Sequence, residues 1–172
     1  LHTFADLFIE NATPTIEDIE IVGDLFEGEE ITLRGRIVDP GDDFWMAKVR
    51  FPDTTIAQQE VAADGLFEFK YTAADEIIGN FTLKIRDALF AIATEAIPVA
   101  IENRAPLAEL SIDPIRAFVD DLLTATVQVS DPGDDRVDLR LDFGDGSPVL
   151  GNRTQDSAEF AFEHRYSAPG SY

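Results

Sequence analysis

DPGDD at residues 39–43 and DPGDD again at residues 131–135 decide how the chain is read, because the same pentapeptide recurs at an offset of 92. The offset holds on both sides of it: Asn11 and Pro14 fall on Asn103 and Pro106, Ile31 on Leu123, Ile37 on Val129, Val49 on Leu141 and Phe51 on Phe143. One domain skeleton written twice in 172 residues is the mark of a repeat architecture. Beyond Phe143 the offset becomes 91, so that Phe69 and Tyr71 meet Phe160 and Phe162, and Gly79 and Phe81 meet Gly170 and Tyr172. This predicts a one-residue deletion in the loop after Phe143. The phase matters because strand side chains alternate with period two, and a single-residue slip turns a whole core face outward.

Within each repeat, short runs of alternating apolar and polar residues are bounded by Gly, Pro and Asp, the pattern of half-buried strands. In the first repeat they predict strands near 16–22, 29–38, 44–51, 55–60, 66–71, 81–86 and 89–101. Trp45, Ala47, Val49 and Phe51 are expected inward on the third, Phe67, Phe69 and Tyr71 on the fifth, and Phe81, Leu83 and Ile85 on the sixth. Seven strands in about 92 residues is the count of an immunoglobulin-like sandwich. The expected fold is therefore all-β: tandem Ig-like antiparallel β-sandwich repeats of seven strands, the second truncated. Residues 1–10 read as the last strand of a preceding repeat, 11–102 as a complete repeat, and 103–172 as a repeat lacking its last two strands. Chain polarity leads to the expectation that such repeats follow one another end to end.

Composition narrows the function classes. Thirteen Lys plus Arg against 34 Asp plus Glu give a net charge of -21, which repels nucleic-acid phosphates and anionic lipid headgroups and attracts cations. The chain holds no Cys, so disulfides, thiol nucleophiles and Cys-based metal sites are excluded. Its longest apolar stretch, 89–101, is interrupted by Thr94, Glu95 and Pro98 and is too short to span a bilayer as a helix. The N-x-T triplets at Asn11, Asn80 and Asn152 fit the N-glycosylation pattern, a weak pointer to secretion.

The second repeat carries LDFGDGSP from Leu141 and FEHRYSAPGSY from Phe162. These resemble the PKD domain, whose mark is a Trp-Asp-Phe-Gly-Asp-Gly turn followed by His-x-Tyr and Gly-x-Tyr. Asp142, Phe143, Gly144, Asp145, Gly146, His164, Tyr166, Gly170 and Tyr172 match, and Leu141 stands in place of the Trp. The first repeat has FPDTT where FGDGS is expected and lacks His-x-Tyr, so it is PKD-like or cadherin-like by repeat alignment alone. The resemblance implies an extracellular or cell-surface module, not catalytic, that acts as a spacer, an adhesive unit or a carbohydrate-associated accessory domain. Its expected partners are neighbouring repeats of the same chain and other copies or a cell-surface protein or glycan. The rival expectation is a ligand- or carbohydrate-binding accessory module of a secreted hydrolase.

Two readings fit the DPGDD loops. Three carboxylates in five residues, with Gly relieving the backbone, suit a hard, oxygen-seeking cation such as calcium. Equally, Asp-Pro-Gly is a good turn in which the Asp side chain caps its own backbone. At one pole of the sandwich the candidate ligands are Asn11, Asp39, Asp42, Asp43 and Asp87, with Asn103, Asp131, Asp134 and Asp135 as their counterparts in the second repeat. Asp142 and Asp145 form a carboxylate pair of the kind glycoside hydrolysis uses. The adjacent Gly144 and Gly146 point instead to a tight hairpin turn with Asp145 and Gly146 at its centre. Neither His2 nor His164 stands beside a recognisable nucleophile, so His164 is expected to hydrogen-bond at the strand corner and Tyr166 to anchor the core. Trp45, the only Trp, is expected in the sandwich core.

Overall fold

The computed structural model describes residues 7–41, 44–155 and 157–172, in two compact units, Leu1–Glu102 and Asn103–Tyr172. Every element among the described residues is a β-strand, and the strands of each sheet run antiparallel.

Unit 1 contains β1 (Thr15–Val22), β2 (Glu30–Val38), β3 (Trp45–Arg50), β4 (Ile56–Val61), β5 (Leu66–Thr72), β6 (Ile77–Arg86) and β7 (Ile92–Ile101). They form two sheets, β1-β2-β5 and β4-β3-β6-β7, with one core drawn from both. The period-two alternation fixes which side faces in. On β3, Trp45, Ala47 and Val49 are buried while Lys48 and Arg50 are exposed. Phe67, Phe69 and Tyr71 are buried on β5, and Phe81, Leu83 and Ile85 have no exposed surface at all. Each such side chain contributes about 1.5–3 kcal/mol by leaving water. The sixth strand starts earlier than expected, at Ile77, and the seventh later, at Ile92. Residues 87–91 instead form a loop in which Asp87 closes on Ala91 through both its amide and its carboxylate. Residues 7–14 lie in no strand, and the remainder of the expected preceding strand, 1–6, is outside the described residues.

One glycine is required by packing. Gly35 pairs across the ladder with Phe67, whose ring lies over it, and a Cβ at Gly35 would stand 2.7 Å from that ring and 3.1 Å from the Glu17 carbonyl oxygen. The β2–β5 pair can place its large aromatic inward because its partner has no side chain.

Unit 2 contains β8 (Leu107–Asp113), β9 (Leu123–Ser130), β10 (Val137–Leu141), β11 (Leu150–Thr154) and β12 (Ala158–His164). The sheets are β8-β9-β12 and β10-β11, matching β1 to β5 in order and pairing. The described residues of this unit hold no counterpart of β6 or β7. Leu123, Ala125 and Phe143 form its buried cluster, with Leu141, Phe162 and Tyr166 partly buried against it.

The ladder corrects the expected deletion. In unit 1, Ile31 pairs with Tyr71 and Leu33 with Phe69; in unit 2, Leu123 pairs with His164 and Ala125 with Phe162. With β9 lying 92 residues after β2, β12 lies 93 after β5, so the repeat carries a one-residue insertion. The counterpart of Tyr71 is His164, not Phe162. Insertion and deletion both preserve the inward phase, and alternation alone does not separate them. The extra length sits between β10 and β11, where residues 142–149 replace the shorter 51–55 of unit 1. That connection is accordingly a loop with Gly144 and Gly146 both at positive φ, not the tight hairpin expected around Asp145 and Gly146.

Candidate functional site

The acidic pole of each unit is built by capping interactions. Asp39 Oδ1 accepts the Gly41 amide at 3.0 Å, and Asp131 Oδ1 accepts the Gly133 amide at 2.9 Å, so both DPGDD loops open with an Asp folded onto its own backbone. Asp39 Oδ2 also receives the Trp45 indole N–H at 3.4 Å, which ties the loop to the core. Asn11 donates to Asp87 at 2.7 Å, and Asp87, 3% exposed, takes the Ala91 amide on its other oxygen at 2.8 Å. In unit 2, Asn103 donates to Asp135 at 2.5 Å while Asp134 is exposed. The structure thus joins Asn11 to Asp87 and Asn103 to Asp135. Asp42 and Asp43 lie outside the described residues. Asp131 Oδ2 is buried and accepts no hydrogen bond from the described residues.

A second constellation links the turn after the third strand to the end of the fifth. In unit 2 the ring of His164 lies flat on Phe143, centroids 4.1 Å apart and planes 13° apart, and its Nε2 stands 2.8 Å from Asp145 Oδ2. Asp145 Oδ1 accepts the Ser147 amide at 2.9 Å. Hydrogen bonds from Ser147, reinforced by His164, hold the Asp145 carboxyl down to about 2. Tyr166 stands edge-on to both rings, and its hydroxyl donates to the Phe143 carbonyl at 2.9 Å. Burial, followed by the nearby Asp145 charge, raises the Tyr166 hydroxyl. Asp142 caps the same loop by accepting the Gly144 amide at 2.9 Å. Both carboxylates of the suggested acid–base pair are therefore tied to the turn and its neighbours.

Unit 1 has the same constellation in different residues. Tyr71 lies flat on Phe51 at 4.5 Å and 11°, and Phe81 stands edge-on to both. Asp53, the counterpart of Asp145, accepts both the amide and the hydroxyl of Thr55, at 2.9 and 2.6 Å. Beside it, the Tyr71 hydroxyl is pushed up to about 12, first by burial and then by the Asp53 charge. FPDTT is thus a working version of FGDGS. What the two share is Phe-x-Asp-x-Thr/Ser and a ring from the fifth strand, a spacing the sequence carried without the glycines that make it conspicuous.

Unit 1 also gathers acids the sequence did not point to. Glu27, Asp75 and Glu76 each offer a carboxylate oxygen within 4.8 Å of the others; Glu27 is buried, the other two exposed. They meet because the Gly28 amide donates to the Ala73 carbonyl at 2.9 Å, joining the β1–β2 and β5–β6 connections. Only the pairing of distant loops reveals this group.

No family model and no curated protein matches the chain.

Proposed function

We propose that the chain is a non-catalytic, extracellular structural and adhesive repeat of the PKD-like kind, whose loop poles take up calcium. The observation that carries the cation reading is Asp131: one carboxylate oxygen caps the DPGDD loop and the other is buried without a donor. Leaving such an oxygen unmatched costs about 1–3 kcal/mol, and a hard cation is the partner that a carboxylate in an acidic chain recruits. Asp135 and Asn103, hydrogen-bonded to each other, supply further oxygen ligands in the same unit. The net charge of -21 supports cation uptake and argues against nucleic acid and membrane surfaces as partners. The adhesive and extracellular parts of the reading rest on the PKD resemblance and on the doubled module, a design that suits a spacer joining neighbouring repeats.

Extracellular calcium modules bind at about 0.1–1 mM. Linkage then adds about 0.4 kcal/mol per site at a free concentration equal to the dissociation constant and about 2.7 kcal/mol at a hundredfold excess. The test is calorimetric melting with calcium or chelator on the intact chain and on Asp131→Asn and Asp135→Asn, which keep a capping oxygen and remove the charge. A calcium-dependent rise in the unit 2 transition that both variants abolish is the expected result. A transition indifferent to calcium reduces the loop to a turn and removes the ion from the proposal.

A further inference from the structure

Two outer sheet faces carry opposite charge. On the outer face of β4-β3-β6-β7 in unit 1, the ladder sets Lys48 directly opposite Lys84, with Arg50 two residues along β3 and Arg86 two along β6. All four are exposed. The chain has only 13 cations against 34 acids, so four on one face beside a single strand acid, Glu60 opposite Met46, reverse its charge locally. The other sheet of the same unit pairs its cations, Arg34 with Glu20 and Lys70 with Glu30. Among the described residues, Lys48, Arg50, Lys84 and Arg86 form no ion pair, and Arg86 stands over the Phe90 ring at 5.6 Å. Like charges directly across a ladder destabilise a sheet, so nothing in the folding of unit 1 explains Lys48 opposite Lys84. In unit 2 the outer face of β8-β9-β12 is the inverse. Its register rows Glu109–Gln128–Glu159 and Asp113–Thr124–Glu163 put exposed carboxylates at four corners, and the row between them, Ser111–Thr126–Ala161, is uncharged. No Lys or Arg lies on these three strands.

We infer that the cationic outer face of unit 1 docks on the acidic outer face of unit 2 in a second copy of the chain. Charge complementarity selects this occupant. The stripe from Arg50 to Arg86 and the acidic rows from Glu109 to Asp113 each extend over four residues of ladder, about 13 Å at about 3.3 Å per residue. Guanidinium forks at the two ends of the stripe therefore meet carboxylates in both rows. Exposed Ile56, Ile78 and Ile92 on the first face and Leu107 on the second supply apolar surface to the contact. A nucleic-acid duplex or an anionic bilayer presents negative charge throughout and is repelled by the acidic remainder of the chain, whereas a second copy offers it in a patch of matching span. At about 0.15 M salt a Debye length of about 8 Å screens the distant surplus, while groups in contact still act. The two faces lie on different units, so the contact is heterologous and copies add head to tail. The inference goes beyond the proposed function by naming a partner and uses none of the DPGDD residues, so self-association and calcium-dependent melting can fail separately.

The test is sedimentation velocity of the intact chain in chelator over a concentration series. Association should be present at about 0.15 M salt and removed at about 1 M. Lys48→Glu with Lys84→Glu, and Glu159→Lys with Glu163→Lys, should each weaken it by about tenfold or more. An equimolar mixture of the two variants should restore it, because the reversed faces complement each other and the native ones still do. Trp45 fluorescence and exchange at the β9 amides check that both variants fold. No association of the intact chain, association unchanged by either variant, or a mixture that associates no better than its components overturns the proposal. Binding to duplex DNA or to anionic phospholipid vesicles that Lys48→Glu with Lys84→Glu abolishes, with self-association absent, also overturns it and assigns the face to a polyanion.

Discussion

In unit 1 a tyrosine, and in unit 2 a histidine, lies flat on the phenylalanine that follows the third strand, and in both units the corresponding aspartate of the turn, Asp53 or Asp145, acts on it, by its charge on Tyr71 and by a hydrogen bond to His164. The edge-on third ring is Phe81 from the sixth strand in one unit and Tyr166 from just beyond the fifth in the other. What persists between the repeats is therefore a geometry, a self-capped aspartate turn beside a stacked ring pair, while the ring chemistry and the source of the third ring change. The geometry joins the two sheets at a corner, so it survives substitutions that keep a flat ring with a polar tip. The units differ most in what flanks the third strand: the unit 1 core has its β6 side chains fully buried, whereas among the described residues of unit 2 no strand lies on the corresponding edge of β10.

The largest expected effect tests whether that burial is private to unit 1. Phe81→Ala empties a fully buried site between Phe51 and Tyr71 and should cost about 3–5 kcal/mol. Trp45, the only Trp, lies in the unit 1 core, so its fluorescence reports that unit alone. Melting followed by Trp45 should shift strongly while exchange at the β9 amides holds; a matching loss at β9 would show that the units do not fold independently.

Gly35→Ala ranks next. Its Cβ meets the Phe67 ring at 2.7 Å, and overpacking of this kind costs about 1–3 kcal/mol. The unit 2 counterpart position is Val127, which already carries a side chain opposite Phe160, so Val127→Ala should also destabilise, but unit 2 and by loss of packing rather than by overpacking. Denaturant melts of the two variants, read unit by unit, check this.

The stacked pairs should also separate the units by pH. Asp145 titrates near 2 in the folded chain against an ordinary 3.8, so its contribution is present above about pH 4 and is lost as the pH falls through about 2. Asp138, lowered by its hydrogen bond with Arg153, adds to the same acid limb of unit 2. Tyr71 titrates near 12 against 10.0, so its contribution is complete below pH 10 and is lost as the pH rises through about 12. Asp145→Asn should flatten the acid loss seen at the β9 amides, and Tyr71→Phe the alkaline loss seen through Trp45. An acid profile unchanged by Asp145→Asn would break the equivalence of the two turns.

The smallest effect concerns the turn itself. Thr54 has φ +72° and its counterpart Gly146 has φ +82°. A β-branched residue pays about 1–2 kcal/mol in that region, part of which Thr54→Gly returns as chain entropy. The substitution should raise the stability of unit 1 slightly, by about 1 kcal/mol or less, read as a small upward shift of its melting midpoint. A fall instead would mean that the Thr54 side chain supports the turn in a way Gly does not.

Much of this was legible in the residues. The inward sets Trp45-Ala47-Val49, Phe67-Phe69-Tyr71 and Phe81-Leu83-Ile85 follow from period-two alternation, a local property each strand carries by itself. The seven strands of unit 1 and the doubling at offset 92 were equally readable, and DPGDD announced an Asp-capped loop. The partners of the site were less so. Asn11 and Asp87 were expected at one pole and do meet there, whereas Glu27, Asp75 and Glu76 lie far apart along the chain, carry no shared motif, and meet only because the strands bring their loops together.

The sequence by itself determined phase, which side of each strand faces the core, because burial acts on every second residue and any slip by one is penalised at once. It did not determine register. Pairing Leu123 with Phe162 or with His164 keeps the same faces inward, since the two differ by two residues. The choice falls to contacts across the sandwich: His164 can stack on Phe143 and reach Asp145 only in the second register. Tertiary structure decided it because those three residues come from different elements, and their mutual fit exists only once the sheets have met.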